Sequence, residues 1–258
     1  MHRRTMKIKY LLPALLIALP VSVTRAQGLK MLDDLSYYLR MDYSLGGTAP
    51  VGLSATIRRL DSYSLRPNFS IGIEAQKPLD DRWGIRTGLH FGNKGMKTDA
   101  QVKNYHMQIV HGGETLEGQF TGNVVTRVSQ WGLTVPVQVV CRVVNDVDLR
   151  FGPYATYVYS RRFSGEAYAG YLRVGNPTGP RVELGRGADE RGSYDFSTDL
   201  RRLQWGLDLG ADWRWSDRWA VGADVSWGLS SVFHSDFKTI EQRLYSIFGT
   251  VGVVYHLK

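Results

Sequence analysis

A chain of 258 residues with 32 basic and 24 acidic side chains, 43% apolar composition and one cysteine, Cys141, has room for a single domain. A lone cysteine excludes an intramolecular disulfide and a cysteine metal cluster. The net charge of +8 does not point to nucleic acid, because five of those charges (Arg3, Arg4, Lys7, Lys9, Arg25) fall in the first 26 residues, where there is no acid.

Those basic residues precede and flank an apolar run from Leu11 to Val23, interrupted by Pro13 and Pro20 and followed by Thr24-Arg25-Ala26. A basic start, a short apolar run and small residues at −3 and −1 predict a secretory signal peptide over 1–26. The run is shorter than the roughly 20 residues of a spanning helix. Residues 27–38 are expected to form a periplasmic segment, and 39–258 the folded domain.

From there on the apolar residues recur with period two. The first stretch carries Leu39, Met41, Tyr43 and Leu45; the next carries Phe69, Ile71, Ile73 and Ala75, then Trp83, Ile85, Thr87, Leu89 and Phe91. Trp131 to Val143 and Leu149 to Tyr159 continue the odd-numbered series. From Leu203 to Trp215 every odd residue is apolar and every even one is Gln, Gly, Asp or Arg; Trp219 to Leu229 and Tyr245 to Leu257 complete the set. Such alternation predicts strands with one apolar and one polar face.

The connections alternate in length. Short turns are expected at Pro78–Arg82, Asn145–Val147 and Ser216–Arg218, and long segments at about 48–66, 95–128, 161–201 and 230–242. Short turns at one end and long loops at the other are the pattern of a transmembrane barrel. Trp83, Trp213, Trp215, Trp219 and Tyr255 lie beside short turns or the last strand's end, and Trp131, Trp205, Trp227 and Tyr245 at the opposite strand ends, forming two interfacial girdles. The predicted fold is therefore all-β: an eight-stranded antiparallel up-and-down transmembrane barrel with periplasmic turns and extracellular loops, placed in the outer membrane. Its expected surroundings are outer-membrane lipid and lipopolysaccharide, with barrel-assembly machinery during biogenesis.

The even-numbered face carries Arg40, Asp42, Glu74, Arg86, Lys94, Arg142, Arg150, Asp208, Asp212, Arg214 and Asp224. The interior of an eight-stranded barrel is just filled by side chains, and buried charges persist when paired, so these residues predict an ion network that plugs the lumen. The glycines on the same face leave room for it. Catalytic, cofactor and metal sites are not expected: Phe233-His234-Ser235-Asp236 puts neighbouring side chains on opposite faces of a strand, and His106 and His111 lack metal spacing.

The chain resembles the Bacteroidetes outer-membrane β-barrel family that includes PorT-like proteins. The resemblance rests on Phe69-Ser70-Ile71-Gly72-Ile73, Trp83-Gly84-Ile85-Arg86-Thr87-Gly88-Leu89 leading to Asn93-Lys94-Gly95, Leu133-Thr134-Val135-Pro136, Phe151-Gly152-Pro153-Tyr154 and a glycine-rich last strand. It implies the barrel and, by analogy, a role in secretion or cell-surface assembly; the length of the second and third loops adds the expectation of a non-enzymatic membrane anchor whose extracellular loops bind a protein or glycan partner. The alternative is a small barrel enzyme acting on lipid A or a peptide.

Overall fold

The computed structural model describes residues 34–50, 56–64, 66–237, 239 and 243–257. The expected signal peptide and residues 27–33 lie outside this set. Eleven strands form in chain order: β1 (Ser36–Pro50), β2 (Ile57–Ser64), β3 (Asn68–Pro78), β4 (Trp83–His111), β5 (Glu114–Val144), β6 (Val147–Val174), β7 (Arg181–Leu184), β8 (Gly192–Asp195), β9 (Leu203–Arg214), β10 (Trp219–Gly228) and β11 (Leu244–His256). Eight of them close a ring, β1–β3–β4–β5–β6–β9–β10–β11 and back to β1, every pair antiparallel. β1 starts at Ser36, so Ser36 to Tyr38, assigned by sequence to the preceding segment, pair with Gln76 to Glu74 of the ring.

Where all eight ring strands pair, closure leaves no open edge, which lets the alternating sequence set inside against outside. Odd residues such as Ile73, Leu89, Val137, Phe151, Leu209 and Val251 are exposed on the outer surface, and even ones such as Glu74, Arg86, Gln138, Arg150 and Asp212 are buried. All seven tryptophans are exposed on the outer surface, and Trp215, Trp219 and Tyr255 stack at the short-turn end.

The short turns are closed by their own side chains. Asp80 accepts the backbone N–H of Arg82 at 2.8 Å and of Trp83 at 2.7 Å, which holds its carboxyl below the usual range. Ser216 does the same more weakly for Arg218 and Trp219. At the other end Gly175 to Pro180 forms a turn, with Gly175 at φ +80°.

At the other end the wall is uneven. β3, β9 and β10 have 11, 12 and 10 residues, whereas β4, β5 and β6 have 29, 31 and 28. The segment expected as a loop over 95–128 is mostly strand: β4 and β5 stay paired from Trp83↔Cys141 to His111↔Glu114. The turn between them is Gly112-Gly113, at φ +60° and +85°, a geometry that glycine adopts without strain and that two-residue hairpins require.

Along β4 and β6, three bulges re-aim the side chains above the ring: on β6 at Tyr159 and beside Ala169 (φ +49°), and on β4 at Asn104. Tyr159 is extra on β6, since Trp131 pairs Ser160 and Gly132 pairs Val158. Below it the even residues Tyr154 and Val158 point inward; above it the odd residues Phe163 and Ala167 do. On β4 the register shifts between Val102 and Tyr105, at Asn104 with φ +55°, and buried residues pass from Met96 and Val102 to Met107 and Ile109. A one-residue insertion exchanges the two faces of a strand.

Candidate functional site

The ion network in the lumen is built from the even residues of seven ring strands. Arg40 on β1 places Nε 2.8 Å from Asp42 Oδ1 and Nη1 3.1 Å from Asp212 Oδ1, and it also pairs with Asp224. Arg86 on β4 reaches Asp212 Oδ2 at 2.6 Å and Glu74 Oε2 at 3.4 Å, donates twice to Gln76 Oε1, and lies 4.4 Å from the Tyr38 ring centre. Arg150 on β6 pairs with Asp212 Oδ2 at 2.9 Å and Asp224 Oδ1 at 2.7 Å and donates to Gln138 Oε1. His90 Nε2 lies 3.0 Å from Glu74 Oε1.

Each of these three arginine side chains is only 2% exposed. A guanidinium withdrawn from water to that degree needs its donors matched by carboxylates or amides, and all three meet such groups, although Arg150 Nε, 2.9 Å from Asp212 Oδ2, makes an ion-pair contact without a hydrogen bond. Space comes from glycine: a Cβ at Gly222 would sit 2.5 Å from Arg40 Nη2 and 2.8 Å from Asp212 Oδ1. The arrangement cross-links strands across the lumen.

Seven of the sequence-selected residues meet in this plug: Arg40, Asp42, Glu74, Arg86, Arg150, Asp212 and Asp224. Four stand apart. Lys94 lies above it, its Nζ 5.1 Å from the Tyr154 ring centre and 5.3 Å from that of Phe248. Asp208 lines the same small chamber of about 100 Å³ as Lys94. Arg142, 44% exposed, and Arg214 lie at the short-turn end, 3.4 and 3.8 Å from Asp148. Sequence reasoning left out Asp148, Gln76 and Gln138, although their even numbers place them on the inner face.

Above the ring, the inner faces of β4, β5 and β6 turn from ionic to apolar. Met107, Ile109, Phe120, Ala167 and Leu172 are at most 1% exposed. β8 pairs with β6 over Gly192–Ala167 to Asp195–Ser164 and touches β4 at Val110–Ser193, capping this second core. Phe163, Tyr194, Phe196, Phe233 and Phe237 complete it as one aromatic cluster. On its surface Glu166 accepts from Arg191 at 2.7 Å and Arg127 at 2.9 Å, and these bonds hold its carboxyl below the usual range. Among the described residues no group of His, Cys, Asp or Glu is arranged to hold a metal ion. His234, Ser235 and Asp236 are exposed beside the buried Phe233.

Closed ring, lipid-type outer face and ion-filled lumen agree with the match of residues 26–234 to the family described as outer membrane protein beta-barrel domain. The chain belongs to this outer-membrane barrel family. Among solved structures, this outer-membrane barrel is similar to Ail, the attachment invasion locus protein of Yersinia pestis, at 10% identity over 86% of this chain and 97% of that one, TM-score 0.36. It is similar to CarO2 of Acinetobacter baumannii (10% identity, 86% and 98% covered, TM-score 0.39) and to OprG of Pseudomonas aeruginosa (10%, 86% and 95%, 0.35). No curated protein sequence matches the chain. The barrel's place is the bacterial outer membrane.

Proposed function

We propose that this outer-membrane barrel is a non-enzymatic anchor for a partner-binding sheet. It is exported on the leader of residues 1–26, and its short turns face the periplasm. The observation that carries this reading is the extension of β4, β5 and β6 past the aromatic girdle into a sheet with its own apolar core. A chain that needed only to sit in the membrane would turn back at the girdle, as β9 and β10 do.

β7 is the edge that a partner would meet. Among the described residues it pairs only with β6, over Gly170–Leu184 to Arg173–Arg181, so its outer edge presents free backbone groups for strand addition. Arg181 lies 4.0 Å and Arg173 5.8 Å from the Tyr171 ring centre, a planar cationic surface beside that edge. In this reading the partner is a protein or a surface glycan and the setting secretion or cell-surface assembly, by analogy with PorT-like barrels. Barrel-assembly machinery handles the chain during biogenesis, and lipid with lipopolysaccharide surrounds its girdles.

A photo-crosslinking residue at Thr178, exposed in the turn that leads into β7, tests this in native outer membranes. Specific adducts that disappear when Arg181–Leu184 is replaced by a glycine-rich link, while the barrel stays heat-modifiable, are expected. Adducts that persist with the edge removed would place the partner elsewhere.

A further inference from the structure

β3 ends at Asn68, paired with Ser44, while its neighbours continue: β1 runs on to Pro50 along β11, and β4 to His111 along β5. Above Asn68, β2 takes the place of β3 on the edge of β4 that β5 leaves free, from Ser64↔Lys97 to Ile57↔Val102. Among the described residues β2 does not pair with β1, so a seam runs between β1 and the β2–β4 wall. Side chains bridge it: the Tyr63 hydroxyl donates to the Gly46 carbonyl, and the Thr48 N–H to Met96 Sδ at 3.1 Å.

Behind the seam is a cavity of about 680 Å³. Its mouth is ringed by the exposed side chains of Leu45, Leu60, Tyr63 and Ile247, and its interior by the buried Met96, Val102, Met107, Phe163 and Phe196. Its volume falls in the range of ligand pockets, roughly 300 to 1,000 Å³, and its lining is almost wholly apolar. Three of the hydroxyls that line it are matched by partners in the wall. The Tyr194 and Thr126 hydroxyls bond each other at 2.8 Å, and Tyr63 is held by Gly46. Such a space gives water little to bond and favours hydrocarbon.

The mouth is continuous with the membrane. Leu45 and Ile247 belong to the same outward series as Met41, Val251 and Val253, which face lipid. A hydrocarbon chain can pass from the leaflet at the long-strand end to the cavity over apolar surface alone.

We propose that this cavity binds one acyl chain of a membrane lipid drawn laterally from that leaflet. The test uses the whole mature protein in nanodiscs doped with a phosphatidylethanolamine that carries a photoactivatable diazirine at mid-chain, with adducts mapped by mass spectrometry. Adducts on Met96 to Met107 and Tyr194 to Phe196 are expected, besides those on the lipid-facing strands. Ala100→Trp, which fills the cavity, should abolish the first group and leave the second; Val124→Phe is the parallel variant should the first misfold by heat-modifiability. Adducts confined to the lipid-facing strands overturn the proposal. So does saturable uptake of free cis-parinaric acid without lipid adducts, which would make the cavity a site for a solute arriving from water.

Discussion

Arg86 Nη1 lies 2.6 Å from Asp212 Oδ2, although their strands, β4 and β9, are not neighbours in the ring. The pair is a chord across the lumen, and Arg40 and Arg150 converge on the same carboxylate from β1 and β6. Removing it leaves three buried guanidiniums short of a partner. Breaking a buried ion pair from one side costs about 3 to 5 kcal/mol, so Asp212→Ala should lower barrel stability by about that much. Leu209→Arg, midway between the girdle residues Trp205 and Trp213 and paired with Val225 on the lipid face, should cost about 2 to 4 kcal/mol by a different route, a charge placed in hydrocarbon. Urea titration in bilayers measures both. A neutral Asp212→Ala would mean that the plug does not hold the ring together.

The same plug predicts electrical silence. With Arg40, Arg86 and Arg150 locked between carboxylates, planar bilayers containing the purified protein should show no sustained porin-sized current. Stable conductance in the unmodified protein would contradict the packing of the lumen.

Parity made much of this legible in the sequence. Leu207 against Asp208, or Ile85 against Arg86, assigns lipid and lumen faces with no knowledge of the ring. What parity cannot supply is height along the barrel: Lys94, Arg142 and Arg86 share a face, yet only Arg86 lies at the level of Asp212. It also fails wherever a bulge intervenes. Phe163 and Met107 are odd-numbered core residues, because the insertions at Tyr159 and near Asn104 exchange the faces, and nothing local in the sequence marks either insertion. Hence the outer sheet reads as loop, with only Gly122–Val128 and Tyr168–Val174 hinting at extended chain.

Acid should loosen the outer sheet before the barrel. Arg191 first, then Arg127, hold the Glu166 carboxyl below its ordinary value of 4.5 through hydrogen bonds. A carboxylate lowered on folding contributes stability above its unfolded pKa, and that contribution is lost as pH falls through the folded value. The window therefore opens below about pH 4.5. Deuterium uptake across Gly192–Asp195, corrected for intrinsic exchange, should rise there, and Glu166→Gln should remove the dependence. Equal acid sensitivity in both proteins would assign the effect to another group.

The two cores should also separate under mutation. Phe163 is 3% exposed, with its ring centre 4.9 Å from that of Phe233, 6.4 Å from Phe196 and 6.5 Å from Tyr194, so it joins β6 to the β8 cap and to the chain before β11. Truncating a buried phenylalanine costs about 3 to 5 kcal/mol through lost burial and the cavity left behind. None of that loss touches the ion plug, whose groups belong to the ring strands below the Tyr159 bulge. Phe163→Ala should therefore open the segment from Arg181 to Leu200 to protease in folded barrels that still migrate as heat-modifiable species. Val158→Ala, which removes a buried side chain just below the bulge, should instead lower the urea midpoint of the barrel and leave that segment protected. If Phe163→Ala shifts the barrel midpoint as far as Val158→Ala does, the outer sheet and the ring unfold as one unit, and a platform mounted on an independent anchor is the wrong description.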